Sequence, residues 1–151
     1  MRIFIVCKVR GATKEQIAEQ MAYVESLESR GHIVHWPHRD TKQNDTEHGT
    51  GICRDTFWQI LWAKEVHVIF DPTSEGFVAD TMITFALNEL GKSLPFRKFI
   101  SRRKVVIVNP EAVDTKIKEE VEQQMDKGVI PSFVKSYTMV LRDLATDTRY
   151  V

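Results

Sequence analysis

Glu65–Asp80, EVHVIFDPTSEGFVAD, is the segment whose reading decides the fold. The apolar run Val66–Phe70 suits a buried strand. Asp71-Pro72 ends it, because proline cannot continue a ladder and restricts the residue before it. Thr73, Ser74 and Glu75 are turn and helix-cap types, and Gly76 permits a close backbone approach. Apolar residues then recur from Phe77 through Phe85 and Leu90 to Gly91, long enough for a helix. The segment reads as strand, polar loop and helix, with Asp80 in the helix's first turn. A helix N-terminus offers free N–H groups and partial positive charge, so it is a ready anion site.

Working outward, the same alternation repeats. Arg2–Cys7, RIFIVC, reads as a central strand, followed by the basic loop Lys8–Gly11. Thr13 and Gln16 form a capping-box pattern ahead of Ile17, Met21, Val24 and Leu27 at helical spacing, and Gly31 stops that helix. His32–Trp36 is a second strand. Pro37–Gly51 is polar and reads as a long loop with a binding or lid role. Ile52–Lys64 is a helix with Asp55, Trp58 and Trp62 on one face. Val105–Asn109 is a further strand, and Pro110 opens a helix closed by Gly128. Ser132–Tyr137 reads as a fifth strand and Thr138–Ala145 as a last helix.

Strand–helix alternation predicts one α/β domain over 1–151 with a five-stranded parallel sheet, doubly wound in the order 2-1-3-4-5. Its switch point falls between strands 1 and 3, and ligands bind outside their carboxyl ends. The segments leaving those ends are Cys7–Gly11 and Asp71–Asp80, so pattern and topology name one cleft.

Composition narrows the classes. The 151 residues are 42% hydrophobic and 28% charged, with formal net charge zero. That balance is ordinary for a soluble domain and gives no bulk attraction to nucleic acid or an acidic membrane. No apolar stretch approaches the roughly 20 residues of a membrane span. Cys7 and Cys53 do not make a disulfide framework, and the chain enters a strand-like run with no leader, so a cytoplasmic protein is expected. His32, His35 and His38 alternate faces along a strand and cannot converge on a metal. No metal and no cofactor is expected. His67, inside a strand, reads as a satisfied sheet histidine.

Lys8, Arg10 and Ser74 beside two helix N-termini would suit a phosphate, though on these residues alone an ordinary solvated turn and cap is the better reading. Asp55 and Asp80 could form the carboxylate pair that chemistry at an anomeric carbon needs, although each alone is more often a plain helix-start residue (Asp80) or surface residue (Asp55). One would attack or stabilise the oxocarbenium ion, and another acid would protonate the leaving group.

Three motifs resemble those of the nucleoside 2-deoxyribosyltransferase family, above all its branch that hydrolyses the N-glycosidic bond of nucleoside 5′-monophosphates. They lie in IFIVCKVRG (Ile3–Gly11), RDTFW (Arg54–Trp58) and SEGFVAD (Ser74–Asp80), and the likeness covers about three fifths of the chain, roughly Arg2–Leu94. The resemblance implies a flavodoxin/Rossmann-like fold, with Asp80 as nucleophile or cation stabiliser and Asp55 as a second catalytic aspartate. It implies Phe4 beside the sugar, and Lys8, Arg10, Gly11, Ser74 and Gly76 around the substrate and its phosphate. It also implies a homodimer, with a small-molecule nucleoside or nucleotide as ligand. The chain departs from the family pattern in carrying Asp80 for glutamate, Cys7 for glycine, Lys8 for serine and Met82 for a small residue. The alternative expectation is a non-catalytic nucleotide-binding module of the same fold.

Overall fold

Strand β1 (Arg2–Val6) runs through the middle of the protein, with Phe4 and Ile5 wholly buried. The computed structural model describes residues 1–44, 49–93, 100–130 and 136–146. Strands β2 (Ile33–His35), β3 (Glu65–Val68) and β4 (Lys104–Ile107) complete a four-stranded sheet. All neighbours are parallel, in the order β2-β1-β3-β4. Continuous apolar runs are the signature of parallel strands covered on both faces, and β1 shows it most fully.

The expected order 2-1-3-4-5 is therefore observed for its first four strands, with β1 and β3 adjacent. The expected fifth strand over Ser132–Tyr137 is not part of the described sheet. Residues 131–135 lie outside the described residues, and Tyr137 opens a helix instead.

Among the described residues six helices flank the sheet: α1 (Lys14–Ser29), α2 (Pro37–Asp40), α3 (Thr50–Trp62), α4 (Glu75–Leu90), α5 (Pro110–Met125) and α6 (Tyr137–Thr146). The capping box of α1 forms as its sequence requires: Thr13 Oγ1 accepts the Gln16 N–H at 3.2 Å, and Gln16 Oε1 accepts the Thr13 N–H at 3.0 Å. Pro37–Gly51 is not the uniform loop expected from its polarity. Proline at the first helical position starts one helical turn, α2, and the Asp40 carboxylate accepts the Trp36 N–H at 2.8 Å. Residues 45–48 of that segment lie outside the described residues.

Two apolar layers sandwich the sheet. One gathers Ile3, Ile5, Val24, Leu27 and Val34 beneath α1; the other gathers Phe4, Val6, Ile60, Val66, Val68, Leu87 and Leu141 beneath α3, α4, α5 and α6. Alternate β1 residues supply opposite layers, as the period of two demands. His67 is satisfied within the sheet: Tyr23 Oη meets its Nδ1 at 2.8 Å and Glu65 Oε2 its Nε2 at 2.8 Å. No described helix is long and apolar enough to cross a membrane.

Candidate functional site

The exits of β1 and β3 open onto a cavity of about 630 Å³, within the usual size of a small-molecule site. Four groups of residues line it. The β1 exit supplies Cys7, Val9, Arg10 and Gly11; the segment after β2 supplies Pro37, Thr41 and Gln43; the β3 exit supplies Thr73, Ser74, Gly76, Ala79 and Asp80. Helix α3 closes the remaining side with Ile52, Cys53 and Thr56.

Helical phase explains who faces the cavity. Gly76, Ala79 and Asp80 stand at i, i+3 and i+4 on α4, and Ile52, Cys53 and Thr56 at i, i+1 and i+4 on α3. Gly11 takes φ +68°, a left-handed turn that glycine adopts freely, and this bends the chain past Arg10 into α1. The Ser74 side chain makes no capping bond to α4, so the first N–H groups of that helix have no side-chain acceptor from their cap.

Asp80 is the chemically distinctive wall residue. Its carboxylate has no hydrogen-bond or ion-pair partner among the described residues, and burial pushes its pKa up to about 7. The Cys7 thiol on the same wall is pushed up to about 12 by burial, partly offset by its hydrogen bond with Trp36, while the nearby Asp80 charge adds to the rise. A thiol so reluctant to ionise is not a nucleophile at neutral pH. Arg10 is the one cation lining the cavity among the described residues, and it is exposed and unpaired there. Cation, helix N-terminus and carboxyl group thus share one chamber.

Three expected site residues sit elsewhere. Phe4 is completely buried and does not reach the cavity; its ring stacks on His35 with centroids 5.4 Å apart. The alternation of β1 sends it into the core layer below the cleft. Lys8 is engaged in holding two loops together. Its ammonium donates to Thr73 Oγ1 at 2.7 Å and lies 3.7 Å from Asp71 Oδ2. Burial would raise the Asp71 carboxyl, but the Thr73 hydroxyl and N–H, Gln16 and Lys8 outweigh it and hold the group below the usual carboxylate range.

Asp55 does not line the cavity either, being one position out of phase with Thr56. Its Oδ2 accepts from Thr41 Oγ1 at 3.1 Å, and Gln59 Nε2 lies 3.4 Å from Oδ1. Thr41 Oγ1 also meets His35 Nε2 at 2.9 Å. Asp55 therefore reaches the cavity only through the Thr41 hydroxyl. Burial lowers the His35 pKa despite the Asp55 and Asp40 charges, which favours the neutral imidazole. Sequence reasoning missed Thr41, Gln43 and Thr56 as wall residues, since nothing local distinguishes them from other polar residues. The three histidines proposed and rejected as a cluster have separate partners: His32 beside the N-terminus, His35 on Thr41, and His38 against the Trp36 ring.

On the outer side of α3, Trp58 and Trp62 are 48% and 57% exposed, with Phe57 beside them at 37%. The Arg2 guanidinium sits 5.7 Å over the Trp62 ring. No family model, curated protein or solved structure matches the chain.

Proposed function

We propose that the cavity binds a nucleoside or its 5′-monophosphate, and that the protein cleaves or transfers the N-glycosidic bond at C1′. One observation carries the reading: a desolvated Asp80, without a partner among the described residues, shares the cavity wall with Arg10, likewise unpaired among them, and the N-terminus of α4. Along α4, the six positions from Ser74 to Asp80 span about 9 Å at about 1.5 Å per residue. A 5′-phosphate and C1′ are joined through five bonds, so both can be met within that span. Arg10, Ser74 and the first N–H groups of α4 hold the phosphate, while Asp80 faces the sugar.

In this mechanism the C1′–N bond breaks as positive charge grows on the sugar ring. Asp80 in its ionised form attacks C1′ or stabilises that cation. The departing base takes up a proton, and water or a second base completes hydrolysis or transfer. Asp55 acts through Thr41, positioning that hydroxyl at the cavity wall. The resemblance of Ile3–Gly11, Arg54–Trp58 and Ser74–Asp80 to nucleoside 2-deoxyribosyltransferases points the same way. The exposed aromatic face of α3 suits a homodimer contact, and the two free cysteines suit the reducing cytoplasm.

A non-catalytic nucleotide-binding module is the second reading, favoured by the position of Asp55 outside the cavity. Base release from nucleoside monophosphates separates the two. Release by the parent that is lost in Asp80→Asn, with binding retained, supports the enzyme. No release, with ligand-dependent thermal stabilisation in both proteins, supports the module. Neither release nor stabilisation removes both.

A further inference from the structure

We propose that Gln43 reads the base, selecting nucleobases that carry an exocyclic amino group at purine C6 or pyrimidine C4 over those with a keto oxygen there. The proposal rests on the nucleotide reading of the cavity. Gln43 Nε2 donates to the carbonyl oxygens of Pro37 and Thr41, both at 3.0 Å. Carbonyl oxygens only accept, so the carboxamide cannot be turned over: nitrogen must face both of them. Both N–H groups are thereby committed to the backbone. The oxygen, with two lone pairs, is left as the polar end of a side chain that lines the cavity.

A carboxamide free to rotate accepts or donates as the ligand requires and discriminates little. One pinned by two backbone acceptors offers an acceptor alone. It pairs with an amino group and sets lone pair against lone pair when the ligand presents a keto oxygen. Position agrees with this role. The sheet order puts the β2 exit, which leads to Gln43, on the opposite side of β1 from the β3 exit, which leads to Ser74 and Gly76. Two strand spacings separate those exits by about 10 Å. A phosphate at the α4 N-terminus therefore leaves the base toward Pro37, Thr41 and Gln43.

Titration calorimetry with adenosine, inosine and purine-riboside 5′-monophosphates tests this on the parent, Gln43→Ala and Gln43→Met. The three ligands differ only at purine C6 and the adjoining ring nitrogen. The parent is expected to bind the adenosine compound about three- to tenfold more tightly than the purine riboside, the yield of one neutral hydrogen bond, with the inosine compound no better than the purine riboside. Both variants are expected to lose this preference while keeping affinity for the purine riboside, with melting temperatures confirming folded protein. An unchanged preference in the variants, or none in the parent, overturns the role of Gln43 and leaves the nucleotide reading standing. No binding of any monophosphate by the parent overturns that reading and the Gln43 assignment with it.

Discussion

Asn109 brackets the backbone of Phe70: its Oδ1 accepts the Phe70 N–H at 2.8 Å, and its Nδ2 donates to the Phe70 carbonyl at 2.8 Å. One side chain thus continues the β3–β4 ladder past the last strand pairs, immediately before Asp71-Pro72. The loop that carries Thr73 and Ser74 to the cavity starts from this fixed point. Asn109→Leu removes both bonds and is expected to cost about 1–3 kcal/mol, read as a shifted denaturation midpoint. Monophosphate affinity should fall in the same variant, because Ser74 and Gly76 lose their anchor. Unchanged affinity in a folded Asn109→Leu protein would show that the loop is positioned from its α4 side alone.

Arg103 plays the corresponding part at the C-terminal end of α3. It is 1% exposed, and its Nε donates to the Ile60 carbonyl at 2.8 Å, while the guanidinium also reaches the Leu61 and Ser101 carbonyls. Asn88, itself wholly buried, pairs with both the N–H and the carbonyl of Arg103. Burial, with no carboxylate partner among the described residues, lowers the guanidinium pKa to about 10, and the partial negative charge of the α3 C-terminus supplies part of the compensation. Arg103→Lys keeps the charge but loses the fork that meets three acceptors. A loss of roughly 2–4 kcal/mol is expected from the orphaned carbonyls. Arg103→Met should lose at least as much, since it satisfies none of them. A melting temperature equal to the parent's in both variants would refute this account.

Arg10 is expected to act on phosphate alone. Arg10→Ala should weaken monophosphate binding about tenfold or more, the scale of a charge-assisted hydrogen bond, and leave nucleoside binding nearly unchanged. Because Arg10 is exposed and unpaired among the described residues, its removal should not move the melting temperature. Equal losses for nucleoside and nucleotide would mark it as structural.

Asp80 predicts a pH dependence of definite sign. Its folded pKa of about 7 lies above the ordinary 3.8, so the folded state holds this proton more tightly than the unfolded chain. The stability it contributes is fully present below about pH 3.8 and is lost as the pH rises through about 7. Relative to Asp80→Asn, which cannot ionise, the parent should therefore lose stability between pH 4 and pH 8. The difference between the two melting profiles isolates Asp80 from Asp40 and Asp71, whose depressed pKa values act in the opposite direction. If Asp80 reacts as the carboxylate, turnover by the parent should rise with pH through about 7. A pH-independent difference in melting would place the Asp80 carboxyl in solvent.

Local chemistry made much of the fold legible. The Thr13–Gln16 box, proline at the start of α5 and the apolar runs of β1 and β3 act within a few residues, so their outcome is written in neighbouring letters. Strand–helix alternation then restricts the sheet to parallel connections, and the β1/β3 cleft follows. Ser74, Gly76 and Asp80 were legible as wall residues for the same reason: they belong to one strand exit and one helix face.

Which other polar groups are free to meet a ligand depended on contacts between segments far apart in the chain. Lys8 looks like a phosphate ligand in the sequence, but Asp71 and Thr73, more than sixty residues away, claim its ammonium. Asp55 resembles a catalytic carboxylate, yet the rotation of α3 about its axis, set by Ile60 in the core and Arg103 at its end, turns it toward Thr41. Gln43 shows no local signal, and becomes an oriented acceptor only because two backbone carbonyls take both of its N–H groups. Sequence periodicity determines which face of an element is apolar. Only tertiary packing decides its rotation and its partners, because those are settled by side chains whose separation in sequence carries no pattern.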